Sequence, residues 1–325
     1  MRLKHTGLVM CTMKQNSEEM FIVTAGSSYL DIDAYACCVA MQELLVLQGK
    51  NATTYSSAMF NYSIPQYIAE LGQINRSLPK EIEKSKVRYI IVDVSDPNYI
   101  DNDISISDII AVYDHHIGYE DYWNEKIGSS NTHIEFIGAA ATLIYRLFVS
   151  YNLQDQMSKS TAKLLIAAIL DNTLNLSSGN TTNEDRQTLF NLCRKAEVDS
   201  EWCAHYFCEV QKQIEYDMKN AIFGDIKCIK QSEFLPDRIA QLSVWDAIKI
   251  LDKLSDIRKW FGESHNTWLL NIIDIQRHCS FFVCDNKYYQ KKLEIAFDCT
   301  FIDDFAQLSA PYLRKEIIKN MIGNR

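Results

Sequence analysis

Three apolar runs with strand character, each closing on or just before an acidic residue, constrain this chain more than any other feature. Met20-Phe21-Ile22-Val23-Thr24-Ala25-Gly26 ends in a glycine turn and is followed by Asp31 and Asp33. Val87-Arg88-Tyr89-Ile90-Ile91-Val92 leads into Asp93, and Ile109-Ile110-Ala111-Val112-Tyr113 leads into Asp114-His115-His116. Short runs that are apolar almost throughout suit strands covered on both faces. Helical periodicity fills the intervals, over Ala34 to Gln48, Gly138 to Tyr151 and Ser160 to Leu170. Strands alternating with helices predict an α/β fold, with a parallel sheet and helices on both of its faces. In such sheets ligands bind beyond the carboxyl ends of the strands, which is where Asp31, Asp93 and Asp114 are expected.

With 325 residues the chain can bury two cores. A long polar stretch from Thr182 to Lys219, mostly helical, reads as a bridge. A second unit follows, with Arg238 to Leu242 as a strand and an amphipathic helix from Trp245 to Phe261. Thr267 to Ile275, Cys279 to Cys284 and Leu293 to Phe297 supply further strands or helices. The expected division is a domain over 1–195, a helical linker over 196–222 and a smaller α/β domain over 223–325, with the site in the cleft between them.

Carboxylates and imidazoles delivered from several strand ends are what a site for two divalent cations requires. Oxygen ligands mixed with imidazole nitrogen suit Mn²⁺ or Mg²⁺ better than a thiol site would. In Asp31-Ile32-Asp33 the two carboxylates share one side if the backbone is extended. Taken alone, the pair reads more readily as a turn with N-capping aspartates at a helix start.

The ten cysteines show no Cys-x-x-Cys spacing and sit mainly in apolar stretches, as reduced thiols do. The N-terminal segment, with Arg2 and Lys4, leads to no small-residue cleavage site, and no long uncharged apolar run occurs. These features indicate a cytoplasmic protein with no membrane partner. A net charge of −9 argues against binding a nucleic-acid polymer, which calls for a basic face, but leaves room for a local basic pocket. His133, His205, His265 and His278 stand apart from the acidic motifs and read as structural, with His278 beside Arg277 a minor candidate for phosphate contact.

The ordered set Asp31-Ile32-Asp33, Ile91-Val92-Asp93, Asp114-His115-His116 and Ala168-Ile169-Leu170-Asp171-Asn172-Thr173 resembles the DHH phosphoesterase family. Ile137-Gly138-Ala139-Ala140-Ala141-Thr142 is similar to that family's helix after the histidine pair. In the second unit Arg238 to Leu242, Asn271 to Ile275 and Leu313-Arg314-Lys315-Glu316 are similar to the C-terminal domain of family II inorganic pyrophosphatases and of prune-type and yeast-type exopolyphosphatases. The resemblance covers nearly the whole chain from about Phe21, and its motifs are more specific in the first domain than in the second. It implies two metal ions held by Asp31, Asp33, Asp93, His115 and Asp171, with Asp93 as the bridge. It further implies that Asp114 orients His115, that His116 contacts phosphate, and that Arg314, Lys315 and Lys219 clamp the phosphates. Without the resemblance, Arg314 and Lys315 would pass for a charge pair at a helix C-terminus.

The implied activity is hydrolysis of pyrophosphate or short polyphosphate, a small anionic substrate, by a monomer or homodimer. The alternatives are a phosphodiesterase on short oligonucleotides or cyclic dinucleotides, and a binding protein with weak catalysis. The glycine-rich, histidine-bearing motif of the nucleotide-cleaving branch is absent. Two departures from the family pattern stand out. Ser27 takes the place of a metal-ligating histidine, so one ion is expected to bind more weakly or to be Mg²⁺. The last motif aspartate is shifted by one residue, so that either Asp171 serves from the shifted position or Asn172 binds through its amide oxygen.

Overall fold

Each apolar run expected to be a strand is one. The computed structural model describes residues 19–79, 84–224, 226–229, 232–263 and 267–323, so the N-terminal leader reading and His265 lie outside the described residues. The first unit runs β1 (Met20–Thr24), α1 (Ile32–Leu47), β2 (Asn51–Thr54), α2 (Gln66–Ala69), β3 (Val87–Val92), β4 (Ile109–Asp114), α3 (Glu120–Ile127) and β5 (Thr132–Ile134). It continues through α4 (Ala140–Ser150), α5 (Lys159–Asn172) and α6 (Asn183–Ala196). The five strands form an all-parallel sheet in the order β2-β1-β3-β4-β5.

Period-two alternation sorts its two faces. Val23, Ile90 and Val92 join a core built with α1, α4 and α5, while Ile22, Tyr89, Ile91 and Val112 pack with Trp123 of α3 on the other side. The short edge strands β2 and β5 escaped the periodicity reading, since four and three residues are too few to show a period.

Two helices, α7 (Ser200–Tyr216) and α8 (Met218–Gly224), lead to the second unit. It comprises β6 (Lys227–Cys228), β7 (Arg238–Val244), α9 (Ile248–Leu251), α10 (Leu254–Gly262), β8 (Trp268–Asp274), β9 (Cys279–Val283), α11 (Lys287–Phe297), β10 (Phe305–Gln307) and α12 (Arg314–Ile322). Its sheet, β10-β9-β8-β7-β6, is mixed, with only β7 and β8 parallel. The single amphipathic helix expected over Trp245 to Phe261 is two helices, separated at Asp252-Lys253, with Ile250 and Ile257 buried on either side of the break.

The bridge is not a solvated linker. Tyr206, Phe207, Val210 and Ile214 of α7, with Met218, Ala221 and Ile222 of α8, belong to the same buried cluster as Val23 of β1 and Ala240, Leu242 and Val244 of β7. Phe207 stacks on Trp245 with ring centroids 5.9 Å apart. One continuous core therefore ties the two sheets together across the cleft.

Candidate active site

The site assembles at the carboxyl end of the parallel sheet. Asp31 caps α1, accepting the Ala34 N–H at 2.9 Å, and the Ile32 N–H donates to the Ser63 hydroxyl, also at 2.9 Å. Asp33, two residues further on and fully buried, reaches across to the start of α4. Its two oxygens accept the N–H groups of Ala140 and Ala141, both at 2.8 Å. Those donors have no partner inside their own helix, and the positive end of the helix favours a carboxylate there. The metal-ligand and capping readings of Asp31-x-Asp33 are thus not exclusive, since both residues cap helices while standing at the site.

Asp93 follows β3 with φ of +56°, a left-handed conformation that costs a residue with a Cβ about 1–2 kcal/mol. Its N–H continues the sheet ladder to the Tyr113 carbonyl at 2.8 Å. At the end of β4, one oxygen of Asp114 accepts the His115 N–H at 2.7 Å, the His116 N–H at 3.1 Å and His116 Nδ1 at 2.8 Å. The expected role of Asp114 therefore needs correction. The imidazole it holds is that of His116, while the His115 ring is held through Nδ1 by the Ile137 carbonyl at 3.2 Å.

A carbonyl can only accept, so Nδ1 of His115 carries the proton and Nε2 presents a lone pair. That Nε2 lies 3.5 Å from Asp93 Oδ1 and 4.0 Å from Asp33 Oδ2. Both Nε2 and Asp93 Oδ1 are buried and have no hydrogen-bond partner. Ligand atoms of Asp93, Asp114, His115 and His116 all fall within 4.8 Å of one another. Two buried acceptors facing each other with no donor between them fit a cation, so the residues present suit a divalent metal.

The electrostatics agree. Burial, joined by repulsion from Asp31, pushes the Asp33 carboxyl up to about 7, and burial with the charges of Asp33 and Asp31 pushes Asp93 well above the carboxylate range. Asp31 is raised by burial, and Asp171 is raised to about 7 by burial and by the Asp31 charge. Burial, together with neighbouring His116, depresses His115 to about 4 and keeps it neutral. Against the pull of desolvation, the hydrogen bond to Asp114 raises His116, and that same bond holds the buried Asp114 below its usual range. Crowded carboxyls beside a neutral imidazole leave a deficit of positive charge.

A cavity of about 540 Å³ opens beside this cluster. Asp31, His115, His116 and both Asp171 and Asn172 line it from the first unit, and Arg314 and Lys315 line it from the second. Those two residues open α12 and do not close it, contrary to the helix C-terminal alternative; the Arg314 N–H donates to Gln241 Oε1 at 2.6 Å. Partial desolvation lowers the Lys315 ammonium.

Lys219 is placed elsewhere. Its ammonium pairs with Glu263 at 3.2 Å, and the lysine that lines the cavity together with Lys315 is Lys227 of β6, which no sequence motif singles out. Ser27 turns away as well, with its hydroxyl and N–H donating to the Tyr99 carbonyl at 2.9 and 2.7 Å. His278, the minor candidate for phosphate contact, is not among the residues lining the cavity, and its neighbour Arg277 pairs with Asp246 and Asp274, each at 2.7 Å. His133 stacks on Tyr113 with centroids 4.5 Å apart.

Beyond Asp171 the chain makes a turn that no residue type announces. Leu174, Asn175 and Leu176 have φ of +50°, +56° and +64°. The Asn175 N–H reaches the Leu170 carbonyl at 2.7 Å, and the Leu176 N–H reaches the Thr173 hydroxyl at 3.0 Å. This left-handed turn carries the chain to Asn180, whose amide donates to the Gly138 carbonyl at 3.3 Å and which also lines the cavity.

Residues 21–169 match the model described as the DHH family, N-terminal domain. The first unit is therefore similar to the N-terminal domain of the DHH family. Its sequence is 25% identical over 266 residues to a probable manganese-dependent inorganic pyrophosphatase of Lactococcus lactis, covering 73% of this chain and 77% of that protein. It is 22% identical over 318 residues to another from Enterococcus faecalis, covering 91% and 96%. The fold is similar to a crystal structure of a putative family II inorganic pyrophosphatase from Methanococcus jannaschii, with a TM-score of 0.60 at 18% identity, covering 93% of this chain and 98% of that one. The two-domain α/β architecture expected for the chain is the one observed. Among the described residues, no helix is long and apolar enough to cross a membrane, and the nine described cysteines are free thiols.

Proposed function

We propose that this protein hydrolyses phosphoanhydride bonds, in pyrophosphate or short polyphosphate, at a centre of two divalent metal ions, Mn²⁺ or Mg²⁺. The observation that carries the reading is the facing pair Asp93 Oδ1 and His115 Nε2, 3.5 Å apart, buried and without a hydrogen-bond donor. The cavity that His115 lines is also lined by Arg314 and Lys315. The names of the Lactococcus and Enterococcus relatives support the same chemistry. In this reading Asp31, Asp33, Asp93, His115 and Asp171 are the residues that would hold the ions.

Bound divalent ions supply an activated water and neutralise phosphoryl charge. The rest falls to the chain's own groups. Arg314, Lys315 and Lys227 bind the phosphate oxygens and stabilise charge that grows on the leaving group. His116 also lines the cavity; its hydrogen bond to Asp114 at Nδ1 raises its pKa and so favours the imidazolium form, in which Nε2 donates into the cavity. The strained turn after Asp171 and the Asp33 cap on α4 fix the positions of the acidic groups before substrate arrives.

The test is phosphate release from pyrophosphate, tripolyphosphate, long polyphosphate and a dinucleotide, each with Mn²⁺, Mg²⁺ and Co²⁺. Asp93→Ala serves as the blank. Metal-dependent release from an anhydride, lost in the blank, is expected. Release from the dinucleotide alone would move the protein to phosphodiester chemistry. Silence on every substrate with metal still bound would make it a binding protein, a reading that the diversion of Ser27 onto Tyr99 favours.

A further inference from the structure

The buried phenol of Tyr206 has no place in the chemistry above, yet it touches the metal-centre residues from outside. Its hydroxyl contacts Asp171 Oδ1 at 3.2 Å and the Ser63 carbonyl at 2.9 Å. Ser63 in turn receives, on its own hydroxyl, the Ile32 N–H between Asp31 and Asp33. One phenol thus joins α5, which carries Asp171, to the segment that braces the start of α1. Tyr206 itself stands on α7, and α7 is keyed to the second unit. Gln211 exchanges two hydrogen bonds with the Asp246 backbone, at 2.8 and 3.1 Å, and Phe207 stacks on Trp245.

We propose that Tyr206 is a positioning residue that aims Asp171 into the metal centre and ties that carboxylate to the helix bearing the second unit. This rests on the metal-centre reading given above. A phenol has a single proton and here faces two acceptors, so the hydroxyl is shared between the Ser63 carbonyl and Asp171. Asp171 stands one residue away from the position expected of the family's last aspartate, at the C-terminal end of its helix. There it is held from behind by a hydroxyl that comes from a different helix, 35 residues further along the chain. Outer hydrogen bonds of this kind orient a ligand, and their loss typically weakens metal binding about 10–100-fold.

The test is a Mn²⁺ titration, by equilibrium dialysis and calorimetry, of the full chain and four variants: Tyr206→Phe, Asp171→Asn, the double variant and Asp93→Ala. Tyr206→Phe removes only the hydroxyl and leaves the ring against Phe207; the thermal midpoint without metal checks that it folds. The expected result is about 10-fold or more weaker binding of one ion in Tyr206→Phe. The double variant should bind no more weakly than Asp171→Asn, because two residues acting through one contact do not add. Unchanged Mn²⁺ binding in Tyr206→Phe, or losses that add in full, would overturn the proposal, as would unchanged binding in Asp171→Asn. Full binding by Asp93→Ala would instead refute the metal-centre reading itself, so the two failures are distinguishable.

Discussion

Replacing Asp171 by Asn should stabilise the metal-free protein, and the gain should depend on pH. Burial and the Asp31 charge raise the Asp171 carboxyl from 3.8 to about 7 in the fold. Between those values the folded state holds a proton that the unfolded chain has released, so stability falls as pH rises and the penalty is complete above about 7. The full loss is about 4 kcal/mol, of which about 1.4 kcal/mol falls between pH 6 and pH 8. The substituted amide would carry no charge at either pH and could still accept from Tyr206. The variant should therefore gain as much as ~4 kcal/mol at pH 8, and its advantage over the natural protein should be about 1.4 kcal/mol smaller at pH 6. His115, depressed to about 4 by burial, works in the opposite direction: its penalty is present below the unfolded value of about 6.5 and vanishes above it. For that reason the difference between the two proteins is the readout. Urea unfolding with EDTA at pH 6 and pH 8 measures it, and with saturating Mn²⁺ the order should reverse, since ligand binding to the fold adds stability that the variant would forfeit. Equal pH slopes for the two proteins would refute the assignment of Asp171 as a half-buried carboxyl crowded by Asp31.

Asp33→Ala should do the opposite of Asp171→Asn and destabilise even the metal-free chain, by about 2–4 kcal/mol in urea unfolding, because it strands the Ala140 and Ala141 N–H groups. Gly138→Ala would set a Cβ 2.6 Å from both Asp185 Oδ2 and Thr173 Cγ2, so about 1–3 kcal/mol of stability should be lost, together with Mn²⁺ affinity, as the adjoining Ile137 carbonyl shifts under His115. Arg314→Ala should lower kcat/KM for pyrophosphate about 10-fold or more at little cost in thermal midpoint, and Lys219→Ala, which breaks only an exposed pair with Glu263, should leave kcat/KM within about 2-fold. Ser27→His, read by calorimetry, should tighten Mn²⁺ more than Mg²⁺ if the imidazole displaces the present bond to Tyr99, since nitrogen ligands favour the softer ion.

What was legible in the sequence was whatever repeats at short range. Ile90, Ile91 and Val92 announce a strand buried on both faces, and the acid that ends the run falls at the sheet's carboxyl edge without further information. What could not be read depends on contacts between distant segments. Nothing near Asp33 signals that it would cap a helix beginning at Ala140, more than a hundred residues away. Nothing in Leu174-Asn175-Leu176 predicts three successive left-handed residues, a conformation that leucine normally avoids and that only the surrounding packing can impose. Lys219 and Lys227 are both single lysines near the junction of the units, and the choice between them is made by Glu263, a partner 44 positions beyond Lys219.

The placement of Arg314 and Lys315 bears on function for the same reason. A helix N-terminus is the positive end of its dipole, and a cation in the first turn is disfavoured there by about 0.3–1 kcal/mol. Two in succession run against the ordinary preference, and Glu316, which accepts the Leu313 N–H at 2.7 Å, offsets only part of it. The Arg314 guanidinium also donates to the Ile239 carbonyl at 3.4 Å, but that contact does not call for a second cation at Lys315. An anion in the cavity does, because the two side chains and the helix end then act on one ligand while the carboxyls of Asp31, Asp33 and Asp93 act on cations beside it. Each half of the cleft is electrostatically unfavourable when empty: acids crowd one another on the first unit, and cations sit at the wrong end of a helix on the second. A metal-bound phosphate relieves both at once, so substrate and ions should bind cooperatively, and pyrophosphate should tighten Mn²⁺ in the natural protein more than in Arg314→Ala.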